Sequence, residues 1–253
     1  MGGTPEPSEI NLARPLARVG FGIGVALLAA VIVDGVLRES DDWASGLRVS
    51  AAYAAVGAAL LWVTGAIASA VLLRGRLRGE IARGNLAAGL VAGGNFVAVG
   101  WILQSCFFGR DVHSLALSAS FFLIAVAALI AMQLSYRGLT RYADDQEVLG
   151  ENAASALSYV GVTLALAVIV AHAATGPFLG WGASLRAFGV ALLLAVALYP
   201  VRQLLVGPLL LGLPMRLRGG ALDRMIAQDR NVAVACVEAL AYVATALLAT
   251  AIG

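Results

Sequence analysis

One short pattern occurs three times along this chain: an Asn stands at the start of an alanine-rich apolar segment, shortly after a charged stretch. The three residues are Asn85, Asn152 and Asn231, and an Ile or Val precedes each by four or five positions. Such self-similarity is the mark of a repeat architecture, in which each unit buries its apolar face against its neighbours. The pattern predicts a tandem series of helical hairpins.

The composition around these repeats is that of a membrane protein. Of the 253 residues, 60% are hydrophobic and only 13% are charged. A helix needs about 20 apolar residues to cross a hydrocarbon core, and seven segments meet this condition: 17–37, 50–73, 85–107, 114–135, 152–174, 184–206 and 231–252. The predicted fold class is an all-α polytopic membrane protein of about seven transmembrane helices.

The three hairpins run in the same direction, so we interpret them as parallel repeats. The predicted parts are a disordered cytoplasmic tail over 1–16, an extra transmembrane helix with its outer loop over 17–49, and hairpin repeats over 50–113, 114–183 and 184–253.

The arginines predict the orientation of these spans, because the chain contains no lysine and all 17 basic residues are arginine. Thirteen of them lie on the side of the N-terminus and of the loops 74–84, 136–151 and 207–230. Basic residues are enriched in cytoplasmic loops. The N-terminus is therefore expected in the cytoplasm and the C-terminus outside.

An Asn at the start of a membrane helix can act in two ways, and the sequence leaves both open. Its side chain can bond an amide of its own helix or the neighbouring hairpin, and the small residues Gly89, Ala156 and Ala235 one turn on favour close helix packing. Alternatively, the Asn side chains line a permeation or ligand path.

The repeated order of an apolar residue, an acidic residue and Asn-x-Ala-Ala resembles the bacterial inner-membrane family named domain of unknown function 350. The first hairpin carries Glu80, Ile81, Asn85, Ala87, Ala88 and Gly89, the second carries Glu147, Val148, Asn152, Ala153 and Ala154, and the third keeps Asn231 and Ala233. The resemblance covers about residues 50–252. It implies a small multi-pass protein of the bacterial inner (plasma) membrane, in a family whose activity is unassigned and whose domains have two such hairpins.

Missing residues argue against several function classes. Without lysine the chain can form no retinal Schiff base, and it lacks the lysine of a phosphate-binding loop. His113 and His172 show no metal-ligand spacing, and no nucleophile occurs beside a base. We therefore expect no enzymatic activity, no catalytic residue, no metal, no cofactor and no nucleic-acid partner.

Glu238 is the main candidate for a functional residue, because acidic side chains inside membrane spans are costly. It lies seven residues beyond Asn231, about 10 Å deeper in the membrane. Tyr242 shares its helix face, and Tyr159 lies on the corresponding face of the second hairpin. No arginine stands in the middle of this span, and Arg202 is expected to extend to the membrane surface. The partner of Glu238 is therefore predicted to be a hydroxyl, an amide or a transported ion, and its role either structural or ion-handling.

Two functions fit these features. The first is a conduit for a small cation or proton, lined by Tyr159, Glu238 and Tyr242. The second is a non-catalytic scaffold in envelope maintenance, whose arginine-rich cytoplasmic elbows bind anionic lipid headgroups or a partner protein, with a homo-oligomer as a further option. The elbow arginines are Arg74, Arg76, Arg78, Arg83, Arg216 and Arg218. A cavity reaching Glu238 favours the conduit, and a solid bundle with paired elbows favours the scaffold.

Overall fold

The computed structural model describes residues 11–39, 43–107, 112–139, 142–216 and 219–252, and over these ranges it contains helices and no strand. The α-helices are α1 (Ala13–Glu39), α2 (Trp43–Leu73), α3 (Leu77–Arg83), α4 (Leu86–Cys106), α5 (Val112–Tyr136), α6 (Asp144–Leu149), α7 (Ala153–Ala173), α8 (Trp181–Ala191), α9 (Ala221–Ala227) and α10 (Val232–Ile252). A short 3₁₀ helix over Arg137–Leu139 follows α5.

Seven helical segments are long and apolar enough to cross a membrane, in agreement with the predicted polytopic fold. They are Ala13–Val33, Gly46–Val71, Leu86–Cys106, His113–Tyr136, Ala153–Ala173, Trp181–Leu210 and Val232–Ile252. The predicted tail over 1–16 is wrong at its end, because residues 13–16 already belong to α1. Residues 11 and 12 are also described, and the rest of that tail, 1–10, lies outside the described residues.

The sixth segment is irregular, unlike the others. After α8 it continues as a 3₁₀ helix over Leu192–Leu198 and a π-helix over Val201–Leu210. Pro200 precedes the π-helix and Pro208 lies inside it. Proline has no amide hydrogen and clashes with the preceding turn, so the regular hydrogen-bond ladder cannot run through this segment.

The long helices form two layers. Helices α1, α4, α7 and α10 pack side by side in chain order, and we call this layer the inner row. Helix α2 packs against α1 and α4, α5 packs against α4 and α7, and the sixth segment packs against α7 and α10. Each helix of the second layer therefore fills the groove between two helices of the inner row.

Close helix contacts in the inner row depend on glycines nine residues after an Asn. A Cβ added at any of these positions would overlap the next helix: Gly20 against Gly93, Gly94 against Val160, and Gly161 against Ala239. The equivalent position in α10 is Leu240, which is 70% exposed. The row therefore ends at α10 with a bulky side chain where each earlier helix has a glycine.

Three short helices, α3, α6 and α9, precede the Asn positions, and we call them the elbows. The residue before each Asn has a positive φ: Gly84 (94°), Glu151 (62°) and Arg230 (50°). Such a left-handed residue ends a helix and turns the chain. The amide of Asn85 then bonds the carbonyl of Glu80 at 3.0 Å, which directs the chain from the elbow into the following inner-row helix.

Candidate functional site

Asn85 joins three elements through one buried side chain. Its Oδ1 accepts a hydrogen bond from the Ala88 amide at 3.1 Å, so it caps α4. Its Nδ2 donates to Glu80 Oε2 in its own elbow and to the Val148 carbonyl in the next elbow, both at 2.8 Å. All strong hydrogen-bonding groups of this side chain are engaged, and one bond crosses to the neighbouring repeat.

Asn152 repeats this arrangement one unit later. Its Oδ1 accepts from the Ser155 amide at 3.1 Å, and its Nδ2 donates to Glu147 Oε2 at 2.9 Å. The same Nδ2 reaches the carbonyls of Ile226 at 3.0 Å and Ala227 at 3.1 Å in the third elbow. The elbows are therefore paired in sequence, each held by the Asn of the preceding unit.

The two ends of the series differ. Asn231 accepts from the Val234 amide at 3.1 Å, but its Nδ2 donates to no group within the described part of the chain. At the other end, Asn11 donates to the Ile81 carbonyl at 3.0 Å and accepts from the Ala13 amide.

Sequence reasoning missed Asn11, although its distance of nine residues from Gly20 is the spacing of the other units. Helix α1, predicted as an extra helix, carries the contacts of a first repeat.

The elbow arginines predicted to meet lipid or a partner lie at the surface, with different contacts. Arg74 Nε is 3.1 Å from Asp145 Oδ2, and Arg83 pairs with Glu80 and, at 3.7 Å, with Glu151. Arg76, Arg78 and Arg216 are exposed. Arg218 lies outside the described residues.

Glu238 belongs to a buried charge cluster, which also contains Arg202, Asp223 and Ser158. Arg202 Nη2 donates to Asp223 Oδ1, and Nη1 lies 3.1 Å from Glu238 Oε1. Ser158 Oγ donates to Glu238 Oε2 at 2.6 Å. Four elements meet here: the π-helix, α9, α10 and α7.

The expected hydroxyl partner of Glu238 is present as Ser158, but the expectations that leave Arg202 at the membrane surface and out of contact with Glu238 were wrong. Arg202 does not extend to the membrane surface; only 8% of its side chain is exposed, and it is an ion-pair partner of Glu238. Arg202 lies within the π-helix, and its pairs with the carboxylates of Asp223 and Glu238 hold it in the interior. The ion pair to Glu238 Oε1 lacks hydrogen-bond geometry, so this buried oxygen accepts no hydrogen bond from the described residues.

The cluster borders a small cavity on the elbow side of the bundle. Ser158, Tyr159, Arg202 and Tyr242 are among its lining residues. Its volume is about 30 Å³, which is room for one water molecule. The structure therefore brings the three predicted residues together: Tyr159 and Tyr242 line the cavity, and Glu238 contacts it through Ser158 and Arg202.

A wall of three residues, Arg137, Tyr142 and Asp144, separates this cavity from an open pocket at the elbow side, since all three line both spaces. Arg137 Nε is 3.5 Å from Asp144 Oδ2, and its Nη2 is 3.3 Å from Asp145 Oδ1. Burial raises the pKa of Asp144 to about 6, although Arg137 acts to lower it. Sequence reasoning missed this wall; the paired aspartates at the start of the second elbow were its only signal.

Polar side chains extend sideways from the cavity. Gln133 Nε2 donates to Thr163 Oγ1 at 3.1 Å and to Asn95 Oδ1 at 3.2 Å, and Asn95 donates to Ser69 at 3.2 Å. Further from the elbows the core is apolar: Phe122, Leu129, Leu166 and Ile169 are fully buried. The cavity is thus reached from the elbow side and closed towards the opposite side.

Within the described ranges no group of three or more His, Cys, Asp or Glu side chains is arranged to hold a metal ion. The chemistry available at this site is therefore that of carboxylates, phenols, a hydroxyl and guanidinium groups.

Comparison with known families agrees with the resemblance seen in the sequence. The family model described as Domain of Unknown Function (DUF350) matches residues 42–117 and 110–252. These matches cover most of the chain, which therefore belongs to this family. No curated protein and no solved structure matches it.

Proposed function

We propose that this member of the DUF350 family is a membrane conduit that passes protons or small cations by way of the buried carboxyl of Glu238. The observation that supports the proposal most directly is the position of Glu238. It is fully buried, and Ser158 and Arg202, which both contact it, line a water-sized cavity that the wall of Arg137, Tyr142 and Asp144 separates from the elbow-side pocket.

The energetic cost of the cluster supports a functional role. Ionisable side chains inside a membrane are expensive and mark ion or proton pathways. A buried ion pair adds little to stability compared with apolar side chains of the same volume. Glu238 Oε1 also has a lone pair that accepts no hydrogen bond from the described residues, so a proton can be added there without breaking one.

The irregular sixth segment supports the same proposal. Non-helical backbone at membrane depth is tolerated where it lies against protein or lines a cavity, and π-helical turns are frequent at functional sites. Here the π-helix carries Arg202, and the Tyr136 hydroxyl donates to the Ala195 carbonyl in the 3₁₀ helix. Because the far half of the core is closed, passage requires a rearrangement, and this segment has 3₁₀ and π turns in place of a regular α-helical ladder of hydrogen bonds.

In the orientation predicted from the arginines, the entrance faces the cytoplasm. A proton or cation enters the open pocket, passes the wall formed with Asp144, and reaches the carboxylates of Asp223 and Glu238. The transfer to the outside then follows the rearrangement of the sixth segment.

The test is flux in liposomes that contain the purified protein and a trapped pH dye, with a potassium gradient and valinomycin as the driving force. We expect pH changes with the wild-type protein and their loss in Glu238→Gln, which keeps the shape of the side chain but not its titration. Glu151→Gln, at an exposed elbow carboxylate, is the matched control and should conduct. A wild-type protein that moves neither protons, sodium nor potassium at any pH contradicts the proposal.

A second function is favoured by the paired elbows. The hydrogen bonds from Asn85 and Asn152 build a continuous elbow surface, on which Arg76 and Arg78 are exposed. Such a surface suits a scaffold that binds anionic lipid headgroups, at about 1 kcal/mol for each nearby arginine. Two results together support the scaffold instead. The protein is more stable in phosphatidylglycerol than in phosphatidylcholine, with this difference lost in an Arg76→Gln/Arg78→Gln variant, and the wild type shows no flux.

A further inference from the structure

We infer that Arg202 makes the Glu238 site selective for protons and excludes metal cations from it. This inference rests on the proposed function and names its substrate class.

The first argument is that Arg202 occupies the place where a cation would bind. Its guanidinium lies between the carboxylates of Asp223 on α9 and Glu238 on α10 and pairs with both. Two carboxylates on separate elements, with a hydroxyl from Ser158 beside one of them, form the kind of oxygen-rich group that hard cations prefer. In this protein the guanidinium of Arg202, which is always charged, occupies the space between these oxygen atoms.

The second argument is size. The cavity beside the cluster has a volume of about 30 Å³, enough for one water molecule and too little for a hydrated sodium or potassium ion. A metal cation would have to lose its water and approach the guanidinium of Arg202 through a region of low dielectric, where like charges repel strongly.

A proton does not have to displace Arg202 and needs no room for a set of ligands, because it adds to a single oxygen of Glu238. When a hydronium ion gives up its proton and that proton reaches Glu238 Oε1, an O–H bond forms there and one water molecule remains. The hydrogen bond from Ser158 to Oε2 is unaffected. Arg202 keeps its pair with Asp223, so its charge stays compensated after Glu238 becomes neutral.

The ionisable groups around Glu238 come from every element packed against it. They are Arg202 in the π-helix, Asp223 in α9, Tyr242 in α10, and Tyr142 and Asp144 at the wall. Arg202 is the cation of this set that pairs with Glu238, while Arg137 pairs with Asp144, so removal of Arg202 leaves the buried carboxylate of Glu238 without that counter-charge.

The experiment measures thermal unfolding in detergent in equal concentrations of sodium, potassium or choline chloride, where choline controls for ionic strength. In the wild-type protein and in Arg202→Lys the three salts should give the same unfolding temperature. In Arg202→Gln, sodium or potassium should raise it by at least about 3 °C over choline, because an ion that binds only the folded state stabilises it. Glu238→Gln added to Arg202→Gln should remove that effect.

Three results overturn the inference: a wild-type protein stabilised by sodium or potassium over choline, wild-type sodium or potassium flux in liposomes, or an Arg202→Gln variant that shows no difference among the salts. If Arg202→Gln does not fold, Arg202→Gln/Asp223→Asn keeps one carboxylate and a smaller charge imbalance, and the same salt comparison is made on it. Absent flux of every ion contradicts the proposed function, whereas sodium flux in the wild type leaves that function standing and contradicts only the selectivity.

Discussion

Asn152 and Asn231 occupy equivalent places in the sequence but differ in their contacts, and this difference allows a quantitative prediction. Both cap the helix that follows. Only Asn152 also donates to the next elbow, at Ile226 and Ala227. Replacing either residue by Ala removes a helix cap, but only Asn152→Ala also removes hydrogen bonds to the next elbow.

The expected losses follow from these contacts. Loss of an Asn cap costs about 1 kcal/mol, which is the whole effect expected for Asn231→Ala. Interhelical polar contacts in membranes average about 0.6 kcal/mol, with a maximum near 1.7, and Asn152 makes two such bonds besides one to Glu147. We therefore expect Asn152→Ala to lose about 2–3 kcal/mol, or roughly 1–2 kcal/mol more than Asn231→Ala.

The measurement is unfolding of both variants in mixed micelles with increasing sodium dodecyl sulfate, followed by far-ultraviolet circular dichroism. Asn85→Ala provides a second case with a cross-repeat bond, to Val148, and should group with Asn152→Ala. Equal losses at Asn152 and Asn231 contradict the reasoning, because they show that the elbow pairing contributes nothing beyond the caps.

Three further substitutions test the packing, the turns and the wall. Gly161→Ala should lower the free energy of unfolding by about 1–3 kcal/mol, because the added Cβ overlaps Ala239. Gly22→Ala has open space around it and should raise helix stability by up to about 1 kcal/mol. The unfolding temperatures of the two variants test this difference. Glu151→Gly should stabilise by about 0.5–1 kcal/mol because φ is 62° there, and Glu151→Ala should not. Burial raises the pKa of Asp144 from 3.8 to about 6. The free energy of unfolding therefore falls as the pH rises through this interval and the carboxyl becomes charged, by at most about 3 kcal/mol. Asp144→Asn should raise the unfolding temperature more at neutral pH than at acidic pH.

The membrane fold could be predicted because it depends on local properties. Apolar segments of spanning length are visible in the sequence, and an Asn before such a segment indicates a helix start because its side chain can cap the first turn. Asn11 was missed because Glu6 and Pro7, not Ile or Val, precede it by five and four positions. Its relation to Gly20 becomes clear only when the packing of α1 on α4 is known.

The charge cluster could be predicted only in part, because it depends on contacts between distant segments. Glu238 stood out as an acidic residue in a span, and Tyr242 followed from helical spacing. The sequence predicts a surface position for Arg202 because this residue stands near the end of the predicted span 184–206, whereas the sixth segment continues to Leu210. Asp223 lies outside the spans, and nothing in the sequence indicates that α9 places it against Arg202.

The repeat and the cluster are connected by the position seven residues after Asn85, Asn152 and Asn231. The paired elbows hold the inner-row helices at a common level, so this position lies at a similar depth in each unit. It is occupied by Ala92 in α4, Tyr159 in α7 and Glu238 in α10, and all three are buried. The backbone is the same in each case, while the side chain changes from apolar to phenolic to acidic. Because the glycines and the Asn side chains fix the helices independently of this position, its chemistry can vary without loss of the fold, and the acidic form occurs only where the π-helix supplies Arg202 as its partner.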